Sequence, residues 1–324
     1  MKRLRFKRYI CLFLVCLLTV GLCACKQIPK FTDALVATAT PQATAASTPN
    51  PTATPLPYAT PQPCNFEVHF IDVGQGDCSL IICDGEAMLI DGGNKSAEKT
   101  ITGYLQAYHV SSIKYIVATH PDKDHIGGLP GVITYLCGNH LLADGFKLFC
   151  SADESDTRQF ENFQQVLDDN DLELTIPQKN QVYLLGNATI RFLNTGTDFS
   201  GDNNNSIVIK ATYQQTSFLF AADIETSAEK ALIEQLSESD MLSSTVLKVA
   251  HHGSSTSTST EFLQAVNPSF AILSVGENNG YGHPGADVLE RLASQSVKIL
   301  RTDQQGSIIL RCNEACVTAV LTEK

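Results

Sequence analysis

Residues 65–324 predict a mixed α/β (α+β) fold, a four-layer αββα sandwich with two sheets packed face to face and helices outside. Three observations carry this expectation. Short β-branched runs alternate with segments of helical spacing in both halves of the region, the pattern of helices packed on sheets. Turn signals such as Asp84-Gly85 join neighbouring runs, so antiparallel pairs share the sheets with crossover helices. About 260 residues are enough for one such domain with a sizeable core.

In the first half, 66–71, 78–83 and 87–90 read as strands, separated by Gly74-Gln75-Gly76-Asp77 and by Asp84-Gly85. Residues 96–108 have helical spacing, with Ile101, Tyr104, Leu105 and Tyr108 on one stripe, and 113–118 is a short buried strand. Segments 129–137 and 160–172 read as helices, the second with Phe160, Phe163, Val166 and Leu167 aligned. The second half repeats the style, with strands at 189–193, 207–212, 218–221, 246–249, 271–275 and 297–300 and helices at 228–236 and 286–292.

The first 64 residues are not read as fold. Five basic residues in Met1–Arg8 precede an apolar run that ends in Leu22-Cys23-Ala24-Cys25. Residues 1–24 therefore read as an export signal, and the resemblance of 22–25 to the bacterial lipobox implies a lipoprotein with Cys25 lipidated, the alternative being an uncleaved membrane anchor. Residues 25–64 are rich in Thr, Pro and Ala and too poor in large apolar groups to offset their ordering entropy, so they read as an extended tether. Either reading places the domain at the extracellular face of the cytoplasmic membrane.

The chain carries a net charge of −11, but seven of its basic residues and one acid precede residue 65, which leaves the domain at −17. Such a surface repels polyanions unless cations or a local basic patch offset it, and the domain sequence contains no basic run. Of its cysteines, Cys312 and Cys316 flank a short turn between strand-like runs. They are expected as a disulfide-closed hairpin or, equally, as core or free thiols.

Chemistry concentrates in Thr119-His120-Pro121-Asp122-Lys123-Asp124-His125-Ile126-Gly127-Gly128, at the end of the strand 113–118. His120, Asp122, Asp124 and His125 place four candidate metal ligands within six residues. Burying them unpaired would be costly, and the two glycines let the chain turn away. Asp223 ends another apolar strand, and His251-His252-Gly253 follows 246–250.

The spacing His120-x-Asp122-x-Asp124-His125 resembles the signature of the metallo-β-lactamase superfamily, with Asp122 in place of a histidine. The surrounding segments Asp72-Val-Gly-Gln-Gly-Asp77, Asp91-Gly-Gly93, Asn203-Asn-Asn-Ser206, Asp223, His251-His252-Gly-Ser254 and Tyr281-Gly-His283-Pro284 occur in the order seen in ComEC-type hydrolase domains of DNA-uptake proteins. The resemblance implies the superfamily's fold and two divalent ions, Zn²⁺ or Mn²⁺. It implies His120, Asp122, Asp124, His125 and a bridging Asp223 as ligands; at the end of the strand 246–250 one imidazole would face the site and its neighbour away, so His251 is taken as a further ligand. Asp77, Asp91 and Asn204 are expected behind them, and Asp124, His252 and His283 are expected to act on water and leaving group. His252 is taken as a ligand-supporting or substrate contact, and His283 as a proton donor, phosphate contact or further ligand. Asp122 and the Asn203–Asn205 run make the donor set richer in oxygen than usual, which favours Mn²⁺ as a competitor to Zn²⁺.

The function expected from this resemblance is extracellular metal-dependent hydrolysis of a phosphodiester, single-stranded DNA or a cell-wall polymer. The alternatives are a teichoic-acid phosphorylcholine esterase, a lactam hydrolase, and a non-catalytic surface binding module.

Overall fold

Two sheets are built by the same chain path run twice. In the first, β1 (Phe66–Phe70), β2 (Ser79–Cys83) and β3 (Glu86–Ile90) form an antiparallel meander. β4 (Ile113–Ala118), β5 (Leu142–Cys150) and β6 (Leu174–Thr175) then add in parallel. The intervening helices are α1 (Glu98–Ala107), the single-turn α2 (Lys123–Ile126), α3 (Leu129–Gly138) and α4 (Arg158–Asp169). The second sheet repeats this with an antiparallel β7 (Val182–Leu185), β8 (Ala188–Thr195), β9 (Ile207–Tyr213) and β10 (Thr216–Phe220). Parallel strands β11 (Val246–Lys248), β12 (Phe270–Leu273) and β13 (Lys298–Arg301) follow, linked through α5 (Thr226–Leu236), α6 (Thr260–Val266) and α7 (Ala286–Ser294). The short α8 (Thr302–Gln305) leads to β14 (Ile308–Asn313) and β15 (Cys316–Leu321), which return beside β1. The sheets thus have the orders β15-β14-β1-β2-β3-β4-β5-β6 and β13-β12-β11-β10-β9-β8-β7.

This computed structural model describes residues 65–321 apart from 153, 196–198, 200, 314 and 315. The export signal, Cys25 and the tether therefore lie outside the described residues, as does the side chain of Cys316 and with it the 312–316 pairing. Among the described residues no helix is long and apolar enough to cross a membrane.

Alternation along the strands produces the four layers. Phe66, Val68 and Phe70 of β1 point inward and meet Phe192, Ile209, Phe218 and Phe220 of the second sheet. The opposite faces of the sheets pack against helices. Ile101 and Leu105 of α1, Val132 and Leu136 of α3, and Phe160 and Phe163 of α4 cover the first sheet. Ala228 and Leu232 of α5, Phe262 and Leu263 of α6, and Val288 and Leu292 of α7 cover the second. The αββα sandwich expected from the sequence is the one observed, and Asp84 and Gly85 close the β2–β3 turn with the positive φ angles, 51° and 87°, that a tight hairpin requires.

Several elements escape the sequence pattern, β5 and α6 among them. β5 carries Asp144-Gly145 in its middle and a register irregularity against β4, so its alternation is broken. α6 has seven residues, too few for a helical period to emerge, and it is set by the Ser259 hydroxyl accepting from the Phe262 amide at 3.2 Å. Likewise Thr157 caps α4 by accepting from the Phe160 amide, so that helix starts at Arg158 and ends at Asp169 rather than 172.

Phe192 of β8 meets Phe149 of the first sheet at 4.9 Å between ring centroids and Tyr183 of its own sheet at 5.8 Å. Because this ring is fully buried in the inter-sheet core, Phe192→Ala is expected to destabilise the fold by ~3–5 kcal/mol. Urea unfolding followed by circular dichroism checks this, and an unchanged midpoint would contradict it.

Candidate metal centre

The candidate ligands all leave from strand ends on one rim of the sandwich. Asp91 follows β3, His120–His125 follow β4, Asp223 follows β10, His251 and His252 follow β11, and Asp77 precedes β2. Backbone hydrogen bonds fasten these ends together. The Asp77 amide donates to the Asp124 carbonyl at 3.0 Å and the His251 amide to the Ala222 carbonyl at 2.9 Å. The Ile207 amide donates to the Thr119 carbonyl at 2.9 Å, joining the two sheets. Gly76 is required here, because a Cβ on it would lie 2.5 Å from the Asp124 carbonyl oxygen. Asp91, Ala222, His251 and His252 all adopt left-handed φ angles between 48° and 60°. Each such non-glycine residue costs roughly 1–2 kcal/mol, and here each re-aims a side chain at a strand end.

Three buried imidazoles present the same edge to one point. His125 Nδ1 donates to Asp91 Oδ2 at 2.8 Å. Asp91 also accepts from the Thr119 amide and hydroxyl, each at 2.8 Å. The Thr119 hydroxyl spends its single proton on Asp91, so its oxygen accepts from His120 Nδ1 at 3.2 Å. His252 Nδ1 donates to the Ser274 carbonyl at 2.9 Å, with Asp77 Oδ1 3.2 Å away. With every Nδ1 engaged from behind, each Nε2 faces inward. Asp223 Oδ2 lies 3.3 Å from His125 Nε2 and 3.5 Å from His252 Nε2, and Asp124 Oδ2 lies 3.4 Å from His252 Nε2.

The structure thus gathers His120, Asp124, His125, Asp223 and His252, with Asp77 and Asp91 behind them. The placement expected for the two adjacent histidines is reversed. His252 is buried at the centre, whereas His251 stands at its edge with 22 % of its side chain exposed, 3.8 Å from Asp223 Oδ2 and 3.6 Å from Glu225 Oε1. The reversal follows from the successive left-handed conformations at 251 and 252, which break the simple strand alternation behind the expectation. Asp122 also stands aside. It is 44 % exposed, with Oδ2 3.8 Å from His120 Nε2. Asn204 does not support the cluster directly; its side chain accepts from the Glu225 amide at 2.9 Å and donates to Glu225 Oε2 at 3.3 Å. His283 sits on the far side of the opening, its ring 5.6 Å from that of His251 and stacked at 5.7 Å on Tyr281.

Sequence reasoning missed Lys248. Its Nζ is buried and lies 2.5 Å from Asp77 Oδ2. A lysine in an otherwise apolar strand, three residues before a histidine pair, was the available signal. Glu225 was missed as well: it accepts from the Thr256 hydroxyl at 2.7 Å and so stands fixed beside His251.

The electrostatics are those of a charge cluster held away from water. Burial opposes ionisation of Asp223, yet His125 and His252 hold its carboxyl well below the usual range. Burial likewise resists charging of His252, but Asp223 and Asp77 outweigh it and push the imidazole up to about 10. Burial and the neighbouring His125 take His120 down to about 3.

This donor set fits divalent cations. His120 Nε2, His125 Nε2, His252 Nε2 and Asp223 Oδ1 are buried and have no hydrogen-bond partner among the described residues. The donors form overlapping groups, His120, His125 and Asp223 in one and Asp124, His125 and His252 in another, each with its ligand atoms within 4.8 Å of one another. Buried polar atoms rarely stay unsatisfied, and imidazoles oriented from behind by carboxylates or carbonyls are the usual supporting arrangement of a metal ligand. Asp91→Asn removes the carboxylate that fixes His125 and is expected to weaken Mn²⁺ and Zn²⁺ binding by about 10–100-fold. Competition with a chromophoric chelator measures this, and unchanged affinity would show that His125 needs no such support.

Comparison with known proteins agrees with this geometry. The model of the metallo-β-lactamase superfamily matches residues 71–137. The chain is 29 % identical over 264 residues to ComE operon protein 3 of Bacillus subtilis, an alignment covering 76 % of this chain and 33 % of that protein. It is 29 % identical over 238 residues to competence protein ComA of Neisseria gonorrhoeae, covering 73 % and 31 %. The chain therefore spans about a third of the length of these curated relatives. Among solved structures, the metallo-β-lactamase fold protein YhfI of Bacillus subtilis superposes with a TM-score of 0.52 at 15 % identity, covering 76 % of this chain and 98 % of that one. CmlA, a diiron β-hydroxylase from Streptomyces venezuelae, gives 0.52 at 12 % identity, covering 78 % and 55 %. The fold is that of the metallo-β-lactamase superfamily, whose model matches residues 71–137, and the sequence is similar to part of ComEC-like competence proteins.

Proposed function

We propose that the protein is a metal-dependent phosphodiesterase acting outside the cytoplasmic membrane, with Mn²⁺ or Zn²⁺ as its cofactor. The observation that carries the reading is the convergence of three unpartnered Nε2 atoms with Asp223 and Asp124 at the floor of an open cleft. That cleft has a volume of about 290 Å³ and is lined by Asp122, Lys123, Thr157, Gln159, His251 and Tyr281 as well as by Asp124 and Asp223 of the cluster. Its polar walls suit a charged, hydrated substrate. The relatives named as competence proteins support a nucleic-acid backbone as the diester.

Divalent cations at such a centre acidify water and stabilise charge developing on phosphoryl oxygens. The protein's own groups do the rest. His120, His125 and His252 would hold the cations through Nε2 atoms whose orientation is fixed from behind, and Asp223 lies between two of them. Asp124 borders the cleft, and although burial raises its carboxyl, His252 and His125 outweigh that and leave it lowered. It is therefore ionised at neutral pH and placed to orient water and accept its proton. His251, braced by Glu225, which Asn204 and Thr256 hold, stands at the cleft wall as the proton donor to the leaving group. Burial and the nearby His252 lower the pKa of His283, so at neutral pH it contributes an N–H contact to the substrate rather than a charge.

Asp124→Asn should abolish hydrolysis of a phosphodiester in the presence of Mn²⁺ or Zn²⁺, by about 10²-fold or more. His251→Ala should slow a diester with an alkoxide leaving group by about 10²-fold and leave one with p-nitrophenolate, which needs no proton, nearly unaffected. Equal losses on both substrates would remove His251 from the proton-donor role, and full activity of the Asp124 variant would remove the mechanism. The location rests on the export-signal sequence and Cys25. Cys25→Ala is expected to move the protein out of the membrane fraction, and retention of the variant there would refute the lipid anchor.

A further inference from the structure

A second cleft opens beside the metal centre and has a character opposite to the rest of the domain. Its volume is about 670 Å³, and it shares Lys123 and Gln159 with the walls of the catalytic cleft, so the two are continuous. Lys95 from the turn before α1, Lys123 from the start of α2 and Arg158 from the start of α4 all line it, with Gln159 and Asn162 beside them. Glu98 is the one acidic residue along its described walls. These three cations are distant in sequence, and only the fold brings them together.

Most other basic groups of this domain are already committed. Lys114, Lys248, Arg291, Arg301 and Arg311 are paired with carboxylates, and Lys210 donates to the Met241 and Ser243 carbonyls. Lys95, Lys123 and Arg158, by contrast, have no carboxylate partner among the described residues. In a domain of net charge −17, three exposed cations without a carboxylate partner, gathered around one cleft, form a local basic patch on an otherwise acidic surface. Guanidinium and ammonium groups flanked by amides are the donors that recognise phosphate oxygens.

We propose that this cleft is an anion subsite, which binds a backbone phosphate of a phosphodiester polymer beyond the bond being cut and so selects chains over isolated diesters. The inference rests on the phosphodiesterase reading above, and names the part of the molecule that makes its substrate a polymer. A backbone phosphate from a nucleic acid or from a wall polymer presents the same chemistry to these groups, and the ligands tested separate the two sources.

The test is equilibrium binding, measured with the full-length protein in the presence of chelator so that nothing is cleaved. A fluorescent single-stranded oligodeoxynucleotide and a fluorescent oligo(glycerol phosphate) serve as probes, across a range of salt concentrations. The triple variant Lys95→Gln, Lys123→Gln, Arg158→Gln should bind the preferred probe at least tenfold more weakly. Its slope of log affinity against log salt should flatten by about 2, from roughly 0.7 per phosphate contact on a single strand. Lys179→Gln, an exposed lysine outside the cleft, should bind as the parent does. Unchanged affinity and slope in the triple variant, an equal loss in Lys179→Gln, or no binding of either probe by the parent at low salt would each overturn the subsite. If the triple variant loses binding but the metal-loaded parent cleaves neither probe, the subsite stands and the phosphodiesterase reading falls.

Discussion

The constraint on which the rest of this structure depends is the withdrawal of four carboxylates from water, Asp77, Asp91 and Asp223 buried and Asp124 half-buried, at one rim of a sandwich otherwise filled with apolar side chains. A carboxylate removed from water must be paired, hydrogen-bonded or bound to a cation. The fold meets this condition in layers. Asp91 is satisfied by Thr119 and His125, and Asp77 by Lys248, whereas Asp124 and Asp223 face the imidazoles of His125 and His252. Charge compensation therefore increases away from the centre, and the innermost oxygen and nitrogen atoms are those left without protein partners. A site designed only for stability would place its unsatisfied atoms elsewhere.

That arrangement has a conformational cost that the sandwich carries. Asp91, Ala222, His251 and His252 sit in left-handed backbone conformations. Four such residues amount to several kcal/mol of local strain, which is small beside a core that spans both sheets and both outer faces. Strain is tolerated because the strand ends are fixed from both sides, by β3 and β4 in one sheet and by β10 and β11 in the other. Thr119 is the joint. Its side chain orients Asp91 and His120, while its carbonyl accepts from Ile207 across the sheet boundary. A change in the pairing of the two sheets would therefore be felt at the metal ligands, which places much of the site's precision in the inter-sheet aromatic packing rather than in the loops.

How much of this was legible in the sequence follows from which interactions are local. The layered fold was readable because apolar alternation, helical stripes and the Asp84-Gly85 turn are properties of contiguous residues. β5 and α6 were not, since a register irregularity interrupts one and a seven-residue length hides the period of the other. The cluster from His120 to His125 announced itself by density, yet density alone misassigned Asp122, whose side chain is turned to solvent beside His120. Lys248 and Glu225 were missed for the opposite reason. Each acts through a partner far along the chain, Asp77 at 171 residues' separation and His251 through a loop braced by Asn204.

The histidine pair shows most clearly what sequence patterning lacks. Alternation along an extended strand would turn His251 inward and His252 away, and that inference is sound only while the backbone stays extended. At 251 the chain enters the left-handed region and stays there through Gly253, so the alternation ends one residue before it was applied. The conformation is held by the His251 amide on the Ala222 carbonyl and by His252 Nδ1 on the Ser274 carbonyl, contacts with β10's end and β12's end that no local pattern encodes. Its consequence is a division of labour within one dipeptide. The imidazole that is fully buried and fixed from behind is suited to holding a cation, whereas the one that keeps solvent access and a carboxylate neighbour is suited to moving a proton. Two adjacent histidines can differ this much only because the backbone between them is not a strand.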